Sequence, residues 1–371
     1  MNVVSYIDPA RSFLPATGVG RHMNNMLLGL AQLPDVSLST LFSREFADSE
    51  GRLSTRSPLR ELPSHTIPLP IQLLERMWKL FKGPAMDRWV SGADWIYLPE
   101  ECYFPARRAR IAVTVHDCHA FEENLPWSNT RLHRSKRRRW GMWMRPMLQR
   151  ADRVLAVSEF TRRRLLELFG VSEDRVVTVG NGVEDRFFEM SGSTIQMPEG
   201  LSDEPYVLVV GGLIARKGGD NVLGVADALH RRRSSRRIFV AGRSEPRLEA
   251  AAKLRQNIVL LGPVTDSVLP RLLRSAVGLL FLSEYEGFGI PALEAMACRT
   301  LAIVARRAAL PETVGDAGIV VEPTAHDAVA DLLEQISRAP RDFDLLREKG
   351  TLRAESHRWS ACVDRLRNAL N

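Results

Sequence analysis

Short runs of apolar residues alternate along the chain with longer segments in which apolar positions recur every three or four residues. The short runs are continuous and rich in valine, isoleucine and leucine, which is typical of parallel strands covered on both faces. The clearest runs lie at 3–7, 111–115, 153–157, 206–210, 237–241, 257–261 and 277–282. Helical patterns at 22–33, 158–170 and 219–233 lie between them. This order predicts an α/β protein built from doubly wound parallel sheets.

The alternation starts again after a polar stretch at 189–205 that contains several glycines and prolines. Such a composition is typical of an interdomain linker, and 371 residues are too many for one ordinary core. We therefore predict one Rossmann-like domain at 1–190, a second at 191–350, and a C-terminal helical segment at 351–371. Residues 43–70, which are punctuated by prolines, are predicted to form a long loop region.

The composition narrows the class of protein without choosing a function. No stretch is long and apolar enough to cross a bilayer, and the first residues lack the pattern of a secretory signal, so we expect a cytoplasmic protein. The four cysteines are scattered without a CxxC pair, which favours neither a zinc site nor a disulfide framework. The net charge of +7 favours anionic partners such as phosphate-bearing ligands, acidic lipid or nucleic acid.

The strongest local signal is SEYEGFGIPALEAMA at 283–297, where an apolar strand ends in a glycine turn that leads into a helix. Gly287 and Gly289 let the backbone approach a ligand closely, and the amides of a new helix favour a phosphate. Glu286 lies in the turn, and Glu294 lies about one turn into the helix. On these residues alone, a glycine-rich turn with two solvated glutamates is an equally good interpretation.

Weaker candidates follow other predicted strands. They are Gly18 and Gly20 before the first helix, His116 directly after the strand at 111–115, the pair Arg216–Lys217, and Arg243. Taken alone, the two glycines are weak evidence, and the other candidates have ordinary structural alternatives: a structural hydrogen bond, a solvated loop pair and a surface arginine.

Glu286 and Glu294, seven residues apart within EGFGIPALEAMA, resemble the E-x7-E motif of glycosyltransferase family four, whose members are retaining enzymes with the GT-B fold. The similarity continues in order along nearly the whole chain, through TGVGRH (17–22), TVHD (114–117), ADRVLAVSEFTRRRL (151–165), NGVE (181–184), GGLIARKGGDNVL (211–223) and LPETVGDAG (310–318). Arg299 departs from the pattern, because it stands where the family often has a glycine at the end of the helix.

The resemblance implies a role for each matched residue. Arg216 and Lys217 would neutralise the donor diphosphate, Glu294 would bind ribose, and Glu286 would lie against the donor sugar with His116. The remaining donor contacts would come from Gly18, Gly20, Arg243, Val264 and the backbone of Gly287, Phe288 and Gly289. It also implies two domains that face a cleft, an acceptor-side first domain, and a last helix that crosses back to it.

The resemblance further implies transfer of a hexose from a nucleotide-sugar donor to a glycan or lipid-linked acceptor in cell-surface polysaccharide biosynthesis, with no cofactor and no metal. GDP-mannose is the preferred donor, with UDP-hexoses and a deoxyhexose donor close behind. A catalytically silent nucleotide-sugar-binding subunit is the alternative. Nucleic-acid binding is suggested only by the basic charge, and no motif for it accompanies that charge, so we expect none.

The segment 131–150 carries many arginines followed by Trp140, Trp143 and several methionines. A basic helix with tryptophans fits peripheral contact with an anionic membrane. A solvated basic helix whose Trp and Met side chains reach the core is the alternative.

Overall fold

The computed structural model of the protein describes residues 1–9, 17–81, 83–102, 105–189 and 205–371. The chain forms two compact units. The first unit is Met1–Asn181 with Trp359–Asn371, and the second unit is Gly182–Arg358. These boundaries differ from the predicted ones at 190/191 and 350/351, because residues beyond each predicted boundary hydrogen-bond to the body of the second unit. The Arg274 guanidinium donates to the Phe187 carbonyl at 2.9 Å, and the Arg353 guanidinium donates to the Thr313 carbonyl at 2.5 Å. Most of the predicted linker lies outside the described residues.

The first unit contains a seven-stranded sheet in which every pair of neighbouring strands is parallel. Its strands are β1 Asn2–Tyr6, β2 Ser37–Ser43, β3 Ser64–Ile67, β4 Trp95–Leu98, β5 Arg110–Val115, β6 Arg153–Ala156 and β7 Val176–Thr178, and its helices before the second unit are α1 Gly18–Ala31, α2 Ile71–Phe81, α3 Arg131–Arg150 and α4 Glu159–Phe169. The spatial order is β3-β2-β1-β4-β5-β6-β7. The order therefore reverses between β1 and β4.

The second unit contains a six-stranded parallel sheet. Its strands are β8 Tyr206–Val210, β9 Arg237–Ala241, β10 Ile258–Gly262, β11 Ala276–Phe281, β12 Leu301–Ala305 and β13 Ile319–Val321, and its helices are α5 Gly219–Arg231, α6 Pro246–Lys253, α7 Leu269–Ser275, α8 Ile290–Ala297, α9 Leu310–Val314, α10 His326–Arg338 and α11 Asp344–Glu355. The spatial order is β10-β9-β8-β11-β12-β13, which reverses between β8 and β11. The prediction of two doubly wound parallel sheets is confirmed.

The last helix, α12 Trp359–Leu370, belongs to the first unit and packs with α1 over one face of its sheet. Alternate residues of each strand face opposite sides, so Trp95 and Tyr97 join this layer while Ile96 and Leu98 join the layer under α2, α3 and α4. Gly29 of α1 permits the close approach of α12, because a β-carbon there would lie 2.4 Å from Cγ2 of Val363.

Several elements differ from their predicted form. β3 lies inside the region 43–70 that was predicted as loop; its short polar sequence, SHTI, carries little strand signal. The first helix begins at Gly18, so Gly18 and Gly20 form its first turn and do not precede it in a loop. In α3, Met144 and Met147 are buried and Trp140 and Trp143 pack against the core. The tryptophans therefore do not provide an outward-facing membrane anchor.

No helix in the described ranges is both long enough and apolar enough to span a lipid bilayer.

We expect truncation of Leu366 in α12 to destabilise the first unit, because this fully buried side chain belongs to the core that α12 completes. Leu366→Ala should lower the free energy of unfolding by about 2–5 kcal/mol. Urea unfolding followed by tryptophan fluorescence measures this unit alone, since all seven tryptophans lie in it. The matched variant Leu132→Ala, at a leucine 82% exposed, should stay within about 0.5 kcal/mol of wild type. Equal unfolding midpoints for the two variants would contradict this packing.

Candidate functional site

The second unit has its candidate site where the order of its strands reverses. In open parallel sheets, ligands bind beyond the carboxyl ends of the two strands at such a reversal. Here those strands are β8 and β11. The loop after β8 carries Arg216 and Lys217, and the loop after β11 carries Glu286. The topology therefore brings the two strongest sequence motifs to one edge of one sheet.

Glycines let the loops at this edge pack backbone against backbone. Gly212 has a φ of +78°, and a β-carbon on it would lie 1.9 Å from the carbonyl oxygen of Arg243. Gly218 has a φ of +74°, and a β-carbon on it would lie 1.8 Å from the carbonyl oxygen of Leu282. No other residue fits either position without moving the backbone. The start of α5 is thus held directly against the end of β11.

Arg216 and Glu286 come together across the two loops. One guanidinium nitrogen of Arg216 donates to the Tyr285 carbonyl at 2.7 Å and lies 3.8 Å from Oε2 of Glu286. The Glu284 amide in turn donates to the Arg216 carbonyl at 3.0 Å. The backbone of each loop therefore positions the side chains of the other. The charged ends of both residues remain partly accessible.

Lys217 bends back over the end of β8, where a β-carbon on Gly211 would lie 2.4 Å from its Nζ. Burial lowers the pKa of Lys217 from its usual 10.5, and the nearby charge of Arg216 lowers it further, whereas the Glu286 carboxylate opposes the shift. Two adjacent cations against one carboxylate leave a net positive site that suits an anionic ligand.

The Glu286 carboxylate is held in position by Ser283, whose hydroxyl donates a hydrogen bond to Oε1 at 2.7 Å. Ser283 is completely buried, and the sequence alone did not identify it as part of the site. The sequence signal for this role is the position of Ser283 just after β11 and three residues before Glu286. Ser283 leaves Oε2 as the oxygen that faces Arg216.

The turn after Glu286 leads into α8 as predicted. Gly289, with a φ of +111°, caps the helix, and Pro291 lies in its first turn. The Phe288 carbonyl accepts a hydrogen bond of 2.6 Å from the Thr313 hydroxyl. Glu294 lies one turn into the helix and is only 2% exposed. A carboxylate so deeply buried is not the solvated glutamate of the alternative interpretation.

The other predicted donor contacts of this unit follow neighbouring strands of the same sheet. Arg243 comes after β9 and exposes its side chain, while its backbone packs on Gly212. Val264 comes after β10 and is half-buried. The Gly242 amide donates to the Gly262 carbonyl at 2.7 Å and so joins these two loops.

In the first unit, His116 directly follows β5, and its orientation is defined by its hydrogen bonds. Its Nε2 lies 2.9 Å from the Pro99 carbonyl, which only accepts hydrogen bonds, so Nε2 carries a proton. In the neutral ring Nδ1 is then an acceptor. The His116 amide donates to the Glu101 carboxylate. Gly18 is exposed and Gly20 buried in the first turn of α1, where the Gly20 amide donates to the Thr17 hydroxyl at 3.1 Å.

His22, within the TGVGRH segment, is a neighbour of His116 that the sequence did not single out. The two rings meet edge to face, with centroids 4.8 Å apart. Complete burial, with a smaller contribution from His116, holds the pKa of His22 well below its usual 6.5. The neutral ring lies 2.7 Å from Oδ1 of Asn181 through Nδ1 and 3.2 Å from the Tyr97 hydroxyl through Nε2. His116 therefore rests on an uncharged, fully hydrogen-bonded support.

Among the described residues, no group of three or more His, Cys, Asp or Glu side chains is arranged to hold a metal ion.

We expect the lowered pKa of Lys217 to affect the pH dependence of anion binding. Because the lysine loses its proton at a lower pH than a solvated one, affinity for inorganic diphosphate should begin to fall below pH 10.5. Lys217→Arg keeps the charge over this range and should flatten that decline. Calorimetric titrations from neutral to alkaline pH measure both proteins. The same alkaline decline in both would show that Lys217 does not face the anion.

Comparison with known proteins identifies the family of the chain. The profile of "Glycosyltransferase Family 4" matches residues 16–187, and that of "Glycosyl transferases group 1" matches residues 194–352. The O-antigen chain mannosyltransferase B of Escherichia coli is 25% identical over 397 aligned positions, which cover 100% of this chain and 99% of the relative. A GDP-mannose-dependent α-(1-6)-phosphatidylinositol monomannoside mannosyltransferase of Mycolicibacterium smegmatis is 30% identical over 256 positions, 64% of each chain.

Solved structures show the same fold at low sequence identity. The sucrose-phosphate synthase of Thermosynechococcus elongatus superposes with a TM-score of 0.74 at 18% identity, covering 99% of this chain and 98% of its own. WaaG, a glycosyltransferase involved in lipopolysaccharide biosynthesis, superposes with a TM-score of 0.68 at 16% identity and the same coverage. The two family matches together span most of the chain. The protein is therefore a glycosyltransferase with the GT-B fold and a member of glycosyltransferase family four.

Proposed function

We propose that this enzyme transfers a hexose, with mannose preferred, from a nucleoside-diphosphate sugar to a glycan or lipid-linked acceptor in cell-surface polysaccharide assembly. The observation that carries the proposal is the cluster of Arg216, Lys217 and Glu286 at the strand reversal of the second unit. GDP-mannose is the first donor to test, because relatives of this chain are a GDP-mannose-dependent enzyme and an O-antigen mannosyltransferase. Since the chain is a glycosyltransferase, a catalytically silent subunit is not proposed.

In this proposal the cations act on the leaving group. Negative charge grows on the nucleoside diphosphate as the glycosidic bond breaks, and fixed positive groups at that position stabilise the transition state. Arg216 supplies a planar fork and Lys217 a compact charge. Glu294 binds the ribose hydroxyls. Glu286, held by Ser283, contacts the donor sugar together with the backbone of Gly287, Phe288 and Gly289.

The remaining roles follow the family pattern. Nδ1 of His116, the acceptor nitrogen of the neutral ring, accepts a hydrogen bond from a hydroxyl of the donor sugar. Gly18 and Gly20, in the first turn of α1, approach the donor phosphates, and Arg243 and Val264 line the nucleotide end. The configuration at the anomeric carbon is retained, and neither metal nor another cofactor takes part.

We expect substitutions of the two glutamates of the motif to affect different quantities. Substitution of Glu294 should lower the affinity for the nucleotide, and substitution of Glu286 should lower the rate of turnover. Glu294→Gln should weaken GDP binding roughly tenfold or more, since a hydrogen bond to a charged group contributes about 1.5–3 kcal/mol. Glu286→Gln should bind GDP nearly as wild type but turn over roughly a hundredfold more slowly, because its interaction serves the transition state. Calorimetry with GDP and an assay of donor hydrolysis and transfer measure the two effects.

The matched control is Glu348→Gln, at an exposed glutamate of α11, which should change neither quantity. The assays are run in EDTA, so loss of activity that manganese restores would overturn the metal-free proposal. Equal losses of binding and turnover in both variants would contradict the assigned roles.

We also propose that α3 holds the enzyme at an anionic membrane surface near lipid-linked acceptors. Its exposed residues fall on one face of the helix and include Arg131, Leu132, Arg134, Arg138, Arg139, Met142 and Arg145. Leu132 is 82% and Met142 63% exposed. An arginine-rich face that also presents apolar side chains suits adsorption to acidic lipid. Arg137 is excluded from this face, because it donates hydrogen bonds to the Ala120 and Glu122 carbonyls.

Reversal of three exposed charges on α3 should release the protein from anionic vesicles. Arg134→Glu/Arg138→Glu/Arg139→Glu should reduce co-sedimentation with phosphatidylserine-containing vesicles roughly a hundredfold, since each basic residue near the surface contributes about 1 kcal/mol. The control, Arg306→Glu/Arg338→Glu/Arg341→Glu, makes the same change of net charge on exposed residues of the second unit. Equal losses in both variants would indicate a general charge effect and would contradict docking through α3.

A further inference from the structure

The loop after β11 carries a further glutamate, Glu284, two residues before Glu286. Its carboxylate has two partners from different parts of the second unit. The side-chain amide nitrogen of Asn221 donates to Oε1 at 2.8 Å, and Nε of Arg307 lies 3.4 Å from Oε2. Only 18% of the Glu284 side chain is exposed. Because both oxygens face protein groups, the carboxylate is oriented by the protein itself.

Glu284 is attached at two points to the segment that carries the cations. Its backbone amide donates to the Arg216 carbonyl at 3.0 Å, and its side chain accepts the hydrogen bond from Asn221 in the first turn of α5. One residue of the β11 loop thus binds both ends of the segment 216–221. Glu286 follows two residues later and lies 3.8 Å from the Arg216 guanidinium. The relative position of these two charged groups therefore depends on how Glu284 is held.

Asn221 is held on its other side by His326, the first residue of α10. Nε2 of His326 lies 3.2 Å from Oδ1 of Asn221, which only accepts hydrogen bonds, so Nε2 carries the proton. The amide nitrogen of Asn221 is then the group that donates to Glu284. Gly224 of α5 leaves space for the imidazole, because a β-carbon there would lie 2.3 Å from Nδ1 of His326. Asn221 is only 9% exposed, and a buried amide keeps its partners because leaving them costs free energy.

Arg307 joins this network from the loop after β12. Its guanidinium donates to both carboxylate oxygens of Glu322, which follows β13, one of them at 3.0 Å. These hydrogen bonds raise the pKa of Arg307 and the Glu284 carboxylate raises it further, whereas partial burial opposes the shift. Through its partners, the β11 loop is connected to the chain that follows β8, β12 and β13.

We propose that Glu284 and Asn221 are positioning residues for sugar transfer. Their hydrogen bond holds the loop after β11 against the start of α5, and so holds Glu286 beside Arg216. The inference rests on the proposed function, in which these two charged groups serve the donor. A displacement of about 1 Å between groups that act on a transition state can slow a reaction roughly a hundredfold. Because the network lies at the edge of the sheet and outside its apolar core, it should affect turnover more than stability.

Exchanging the donor and the acceptor of this hydrogen bond tests the proposal. Asn221→Asp places a carboxylate against the Glu284 carboxylate, and the like charges repel, so transfer should slow roughly tenfold or more. Glu284→Gln keeps an acceptor oxygen for Asn221 and should slow transfer only about threefold, since a neutral hydrogen bond contributes less than a charged one. The double variant Asn221→Asp/Glu284→Gln again pairs a donor with an acceptor and should transfer within about threefold of wild type.

Steady-state assays with GDP-mannose give kcat and KM, and thermal unfolding gives the stability of each variant. The fall should be in kcat, with thermal midpoints within about 4 °C of wild type. The control Asn129→Asp/Glu348→Gln makes the same two chemical changes at exposed residues outside the network and should leave every quantity unchanged.

Binding of inorganic diphosphate separates positioning from a simple effect of charge. Removing the Glu284 carboxylate makes the site more positive, so a purely electrostatic role predicts that Glu284→Ala binds diphosphate more tightly. Loss of positioning predicts the opposite, a weakening of about threefold or more, because Arg216 loses a support. Calorimetry at neutral pH measures this affinity without a donor sugar.

The inference is overturned if Asn221→Asp transfers as fast as wild type, or if the double variant is no faster than Asn221→Asp. It is also overturned if lost activity follows lost thermal stability, or if Glu284→Ala binds diphosphate more tightly. Failure of wild type to bind diphosphate would overturn the proposed function, whereas binding by wild type without rescue in the double variant would overturn this inference alone. If wild type uses another nucleotide sugar, the proposed donor is wrong, and the same variants are compared with that sugar.

Discussion

Close contact between backbones at the carboxyl end of β8 is the constraint on which the candidate site of the second unit depends. Gly212 lies against the backbone of Arg243, and Gly218 lies against the carbonyl of Leu282, each at a distance that excludes a β-carbon. This packing fixes the backbone of the segment that carries Arg216 and Lys217, which places two like charges next to each other. The cost of holding them is partly offset by Glu286, which Ser283 orients. A site arranged before its ligand arrives loses less free energy on binding.

The same topology produces different chemistry in the two units. Both sheets are parallel and doubly wound, and in both the strand order reverses once. The reversal leaves a crevice at one edge of the sheet, beyond the carboxyl ends of the two strands that flank it. The second unit places arginine and lysine at that edge, and the first unit places carboxylates and indole rings there. In the first unit, His22 stays neutral because it is buried, and its ring supports the ring of His116 through an edge-to-face contact. The fold supplies the edges, and the side chains decide what each edge accepts.

The sequence predicted the features that arise from local chemistry and missed those that arise from distant contacts. Continuous apolar runs identified the central strands, and Pro291 after Gly289 identified the start of α8. β3 was missed because a short edge strand needs only one buried residue, Ile67. The sequence does not decide between a membrane-facing and a core-facing position for the tryptophans of α3, because only the packing of the folded chain shows that they face inward. Arg299 adopts a φ of +59°, so the backbone conformation usual for glycine persists here without one. Ser283 and His22 act through neighbours that only the folded chain brings close.

The claim that Arg216 and Lys217 recognise the diphosphate is tested most directly by comparing the affinities of GDP and GMP. The two ligands differ by one phosphate, so their ratio isolates the interaction at issue. Calorimetry on wild type should give a clear preference for GDP, and Arg216→Gln/Lys217→Gln should abolish most of it while leaving GMP binding nearly unchanged. An undiminished preference for GDP in the double variant would contradict the account.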